Sequence, residues 1–179
     1  MPIETDRVVG SISLVGGRID DLSLKNYRVS LAEHADVVHL LNPVGSERPY
    51  YALFGWAPGG GLTLDDVPTV TTNWMLEDGE TLTADTPITL RWDSPNGTIF
   101  RRVIEIDDDF MFTVTQSVEN ASGSAMSMAP YGLIARHGEP VDLKNFFILH
   151  EGGVAMADGT LAESDYKDMV GCTVDSAAG

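Results

Sequence analysis

A chain of 179 residues that is 43% hydrophobic is long enough for one domain with a real core, so disorder is not its default state. Its formal charge of −16 repels phosphate backbones and anionic lipid head groups, which argues against nucleic acid or a lipid surface as partner. Otherwise that charge is what a soluble surface carries. The single cysteine, Cys172, has no partner for an internal disulfide, which fits a reducing compartment or an envelope domain that does without disulfides. No run approaches the roughly 18 apolar residues of a spanning helix. The opening Met1-Pro-Ile-Glu-Thr-Asp6 is polar and acidic rather than a signal peptide, so the segment reads as soluble.

Taken in chain order, the first element is a β-hairpin. Ile12 and Leu14 precede Gly16-Gly17, and Ile19, Leu22 and Leu24 follow. Period-two apolar spacing means a strand with one buried face, and the glycine pair supplies the positive φ of a tight turn. Asp36–Asn42 is a short apolar run ending at Pro43 and is expected to be a buried strand. After a polar loop, Tyr50–Trp56 is aromatic and strand-like and should stop at Pro58-Gly-Gly-Gly61. No lysine or helix pattern follows those glycines, so they are not a phosphate cradle.

Asn73-Trp-Met-Leu76, Thr86–Trp92 and Thr98–Ile106 are the next strands, the last two joined by Asp93-Ser-Pro-Asn-Gly97, a strong hairpin signal. In Thr98–Ile106, Arg101, Val103 and Glu105 alternate with Phe100, Arg102, Ile104 and Ile106. Asp107-Asp-Asp109 makes a turn into a long strand, Phe110–Asn120. There Phe110, Phe112, Val114, Gln116 and Val118 share one face, and Met111, Thr113, Thr115 and Ser117 the other. Further strands are expected at Ala125–Ile134 and Phe146–His150, and one helical turn at Ala162–Met169. Many short strands between Gly, Asn, Asp and Pro turns predict an all-β sandwich or barrel with little helix.

Signals for chemistry are weak. His34 and His39 have no third ligand in any standard spacing, and neither have His137 and His150. Those last two, with Glu139 or Glu151, would serve acid–base catalysis only if they converged on one substrate. Arg136-His-Gly-Glu-Pro140 reads more simply as a polar turn, and His150-Glu-Gly-Gly153 as the end of a strand. No Gly-x-Ser-x-Gly elbow is present. Asp107–Asp109 lacks the glycine and distal glutamate of a calcium loop. Trp56, Trp74 and Trp92 would stack on sugars if exposed, but on alternating strands they are expected in the core. No catalytic, cofactor-binding or metal-binding residue is assigned.

Several pieces, in one order, nevertheless resemble a known family. They are Gly10-Ser-Ile-Ser-Leu14 with Gly16-Gly-Arg-Ile-Asp-Asp-Leu-Ser-Leu-Lys-Asn-Tyr27, then Leu40-Leu-Asn-Pro-Val-Gly45 with Pro49-Tyr-Tyr-Ala-Leu-Phe-Gly-Trp56 and Asn73-Trp74. Leu90-Arg-Trp-Asp93, Phe110-Met-Phe112 with Val118-Glu-Asn120, Pro130-Tyr-Gly-Leu-Ile-Ala-Arg136, and Leu149-His-Glu-Gly152 with Tyr166 complete the set. Residues 3 to 170 thereby resemble the large periplasmic domain of the YidC-type membrane protein insertase, in its alphaproteobacterial form.

The resemblance implies a twisted β-sandwich of the supersandwich type, similar to galactose mutarotase, with no known catalysis and no cofactor. It implies a domain over 1–170 with a polar tail at 171–179, facing the periplasm from the bacterial inner membrane. Its partners would be the Sec accessory subunits SecD and SecF and membrane-protein substrates. A transmembrane helix would precede this segment, and closing strands and a helix would follow it. A sandwich without those strands would expose backbone edges, so association or marginal stability is expected. The alternative is a mutarotase-like sugar binder or epimerase with His137 or His150 and a Glu flanking the ring. An adhesion-type sandwich is a third option that the lack of disulfides disfavours.

Overall fold

The computed structural model describes residues 1–140 and 150–169. They fall into two units, Met1–His137 and Gly138–Gly179.

The first unit is an antiparallel β-sandwich. One sheet has six strands: β1 (Pro2–Glu4), β2 (Val8–Ser13), β3 (Arg18–Arg28), β5 (Tyr50–Gly59) and β10 (Ser127–Arg136) in that spatial order, with β4 (Val37–Leu41) paired to the far half of β3. The other runs β6 (Met75–Asp78), β7 (Ile88–Asp93), β8 (Thr98–Ile106), β9 (Phe112–Asn120). Ile3, Val8, Ile12, Ile19 and Leu22 from the first sheet meet Ile88, Leu90, Phe100, Ile104 and Ile106 from the second in one buried cluster. Two inward-facing period-two patterns thus make the core.

The β2–β3 hairpin forms as its spacing predicts, with Gly16 at φ 75° and Gly17 at φ 61°. The three-residue step from Ile19 to Leu22 has a physical reason. Ile12 pairs with Ile19 but Ser11 with Asp21, so Asp20 is an extra residue in the ladder, a β-bulge that returns Leu22 to the buried face. The hairpin at Asp93–Gly97 also holds, as does the alternation of β9, whose Phe112, Val114, Gln116 and Val118 are half-buried.

Several expectations are corrected. β4 is half-buried to exposed rather than buried, because β3 flanks it on one side and little covers its faces. β5 runs on through Pro58 to Gly59, since Ser127 and Met128 of β10 pair with those residues. β9 starts at Phe112; Phe110 sits in the turn at φ 72°. There Asp107 Oδ1 accepts from the backbone N–H of Asp109 and Met111 and ends the ladder. The strand expected at Ala125–Ile134 runs instead from Ser127 to Arg136. β1 was not foreseen: its one apolar residue, Ile3, is too little pattern for a strand prediction, yet it is fully buried.

The two sheets are stitched along one side. Glu4 N–H donates to Leu82 O and Leu82 N–H to Pro2 O, while Gly16 N–H donates to Thr72 O and Trp74 N–H to Leu14 O. On the opposite side, where β9 and β10 end their sheets, the side-chain amide of Gln116 on β9 donates weakly to the carbonyls of Gly55 and Tyr131.

The second unit contains a hairpin, β11 (Gly152–Ala157) and β12 (Thr160–Asp165), and one helical turn, α1 (Tyr166–Met169). Asp158 (φ 50°) and Gly159 (φ 76°) form its turn, the conformation an Asp-Gly pair favours. The helical turn expected at Ala162–Met169 is therefore confined to its last four residues; Ala162–Asp165 is strand, because it pairs with β11. Gly152-Gly153 opens β11 rather than ending a strand. Of the strand expected at Phe146–His150, only His150 lies within the described residues, and it is outside any strand.

Candidate interaction surface

The sandwich core holds one residue that no simple fold rule places there. Arg102 lies on the inward face of β8 between Phe100 and Ile104 and is fully buried. Its Nη1 donates to Gly17 O at 2.8 Å and, more weakly, to Gly16 O at 3.4 Å. Its Nη2 donates to Phe54 O at 2.6 Å and approaches Gln116 Oε1 at 3.4 Å. The guanidinium stacks 4.5 Å from the Trp74 ring centroid. β3 and β5 pair at Ile19 and Ala52, and next to that pair lie the carbonyls of Gly16 and Gly17 in the β2–β3 turn and of Phe54 on β5. Arg102 supplies donors to those carbonyls from the opposite sheet. Burial lowers its pKa to about 10, which leaves it a cation at neutral pH. A Cβ on Gly17 would fall 2.4 Å from Nη1, so glycine is needed there for the close approach as well as for φ. The signal was legible: Arg102 occupies the apolar parity of its strand.

The surface most suited to a partner is β10. Its ten residues carry no acid in a chain of charge −16, and its only charge is Arg136, placed over the Tyr50 ring. Tyr131, Leu133 and Ile134 are 37%, 41% and 69% exposed. Tyr131 and Leu133 share a face with Tyr51 and Leu53 of β5, and the Tyr131 ring lies over Gly55, where a Cβ would come within 2.5 Å of Oη. Ile134 shares the other face with Ala52. Just past the strand, His137 N–H donates to Pro49 O. Alternation therefore turns the backbone groups of Met128, Pro130, Gly132, Ile134 and Arg136 away from β5. Pro130, which has no N–H, sits at such an outward position, as prolines in sheets do. Among the described residues no strand pairs with this edge.

Each of the residues weighed for chemistry has its own local surroundings. His39 Nδ1 lies 2.9 Å from Ser23 Oγ on β3, His34 is exposed in the β3–β4 loop, and His137 packs 5.9 Å from the Tyr51 ring. In the second unit His150 Nδ1 is 3.4 Å from Asp165 Oδ1 and its Nε2 is 3.3 Å from Gly153 O. Its carboxylate neighbour is thus Asp165, a residue the sequence did not single out. Glu139 is exposed and Glu151 half-buried, both in the second unit. Among the described residues no group of three or more His, Cys, Asp or Glu side chains gathers as metal ligands would. Trp74 is buried, and Trp56 and Trp92 pack on the core against Phe100, as alternation predicted. Asp107–Asp109 is the expected turn, with Asp109 3.3 Å from Arg7.

Compared with known proteins, residues 1–177 match the sequence model of the YidC periplasmic domain. The chain belongs to the YidC periplasmic domain family. It is 61% identical over 168 residues to the membrane protein insertase YidC of Dinoroseobacter shibae, covering 94% of this chain and 28% of that protein. It is 60% identical over 172 residues to the Ruegeria pomeroyi protein of the same name (93% and 28%) and 58% over 177 to that of Roseobacter denitrificans (99% and 29%). The chain thus spans less than a third of the length of these relatives. Membership of the YidC family puts this segment on the periplasmic side and lends nothing to the sugar-enzyme alternative.

Proposed function

We propose that the chain is the periplasmic interaction and scaffold domain of an inner-membrane insertase, and that β10 is the edge by which it meets its partners. The exposed, acid-free backbone edge of β10 carries this reading, because added strands bind such edges through main-chain hydrogen bonds. SecD and SecF of the Sec translocon, and membrane proteins in the course of insertion, are the partners that the resemblance to YidC insertases suggests. The domain itself does no covalent chemistry and holds no cofactor or metal in this reading. It extends over 1–170, with 171–179 as its tail.

The test is site-specific crosslinking in the full-length insertase carrying this domain. Ile134→Lys and Leu133→Lys place charges on the edge while leaving the buried cluster intact. Crosslinks from β10 to SecD or SecF should fall at least several-fold, while insertion of Sec-independent substrates continues. Unchanged crosslinks would remove β10 from the interface. Epimerisation of free hexoses by the isolated chain would overturn the scaffold reading in favour of the mutarotase-like one.

A further inference from the structure

We propose that Asn96–Gly97 is a deamidation site that the fold holds closed through Asp66, and that its reaction unfastens the loop at 63–66 from the β7–β8 hairpin. The sequence contains one Asn-Gly step, and it lies in the turn between those two strands. At such a step glycine has no side chain to shield its backbone nitrogen. That nitrogen attacks Asn96 Cγ and the new N–C bond closes a succinimide. The Cγ–Nδ2 bond breaks, and ammonia leaves with the proton of the Gly97 amide. Solvent water then opens the ring to aspartate or isoaspartate.

Both reacting groups are engaged in the folded chain. Gly97 N–H donates to Ser94 O at 3.0 Å, so the nucleophile is held as a hydrogen-bonded amide. Asn96 Oδ1 accepts from Thr98 N–H at 3.0 Å, which turns Nδ2 toward Asp66, and Nδ2 donates to Asp66 Oδ1 at 3.1 Å. A bond donated to a carboxylate pushes electron density into the amide, makes Cγ a poorer electrophile and must break before ammonia leaves. The product sets a carboxylate where Nδ2 stood. Hydrogen bonds from the backbone and then the hydroxyl of Thr63 hold the Asp66 carboxyl below its ordinary value, so the two acids repel near neutrality. The hairpin grips this loop through Asn96 Nδ2 to Asp66 Oδ1 and through Ser94 Oγ to Asp66 O, and deamidation makes the first a repulsion. Asp66 adjoins Val67, a member of the buried cluster, so the loop carries part of the core with it.

Ageing at mildly alkaline pH tests the site, read by mass on the tryptic peptide Trp92–Arg101. The folded chain should deamidate about tenfold more slowly than the same chain in urea. Asp66→Ala, shown folded by circular dichroism, should recover most of that factor. Equal rates in the folded and unfolded chain, or no acceleration in Asp66→Ala, would overturn the closure. Asn96→Asp reproduces the aspartate product without ageing. It should lower Tm near neutral pH, and adding Asp66→Asn, which supplies an amide donor to the new carboxylate, should restore most of the loss. A loss that Asp66→Asn leaves in place, or no loss at all, would overturn the unfastening.

Discussion

Arg102 concentrates the strongest residue-level consequences. Replacing it by Ala leaves the carbonyls of Gly17 and Phe54 without donors and opens a cavity beside Trp74. A loss of about 3–5 kcal/mol in urea unfolding is expected. Arg102→Lys should recover little of it, because a single ammonium cannot reach two carbonyls in the fork geometry. Phe110 gives a finer test. Its φ of 72° is strained for a residue with a Cβ, while its ring packs on Tyr27 at 6.1 Å and under Arg7 at 5.4 Å. Ala and Gly both delete the ring, but only Gly relieves the backbone. Phe110→Gly should therefore be more stable than Phe110→Ala by about 1 kcal/mol, and the reverse order in thermal melts would mean that the turn is unstrained. Glu77 supplies a pH signature. Hydrogen bonds from Arg101 and then Arg91 hold its carboxyl below the ordinary value of 4.5. A depressed folded-state value stabilises the fold above the unfolded pKa, and that support disappears as pH falls through the folded one. Glu77→Gln should lower Tm near neutrality and leave it unchanged in strong acid, so the gap between the variants narrows as pH falls below the ordinary carboxyl value and closes once pH is under the lowered one. A constant gap would show that Glu77 acts through packing instead.

The elements show what pattern conveys and what it hides. β2, β3, β8 and β9 were legible because one face of each is buried and period two writes that burial into the side chains. The bulge at Asp20 was legible only as an irregular step, because spacing does not say which strand carries the extra residue. β11 and β12 were hidden for the opposite reason. Their strands are exposed or half-buried throughout, and small Gly, Ala and Ser residues on one face blur the alternation, although Asp158-Gly159 is a hairpin signal in its own right. The edge position of β10 could not be read at all: which strand ends a sheet is a property of the order of strands, not of any strand's own residues. That order yields a prediction for β10. Its acid-free edge, which no strand pairs among the described residues, should make the isolated chain associate as concentration rises, and Ile134→Lys should suppress the association. Light scattering decides it; a sharp monomeric peak with a cooperative melt for the unsubstituted chain would refute the expectation.

For the whole chain, charge and stitching set the behaviour. A net −16 steers basic partners inward over distances comparable to the Debye length, about 8 Å at physiological salt. Association with a basic partner face should therefore slow steeply as salt is raised while dissociation changes little; equal slopes for both rates would place the charge inside the contact itself. The seam along β1 has a mechanical consequence. β1 lies between β2 on one side and Leu82 on the other, with hydrogen bonds to both and Ile3 locked beneath. Tension applied along β1 from its N-terminal side runs across those bonds, so they must rupture together rather than one after another. The strand that the sequence advertised least is in this sense the domain's load-resisting clamp.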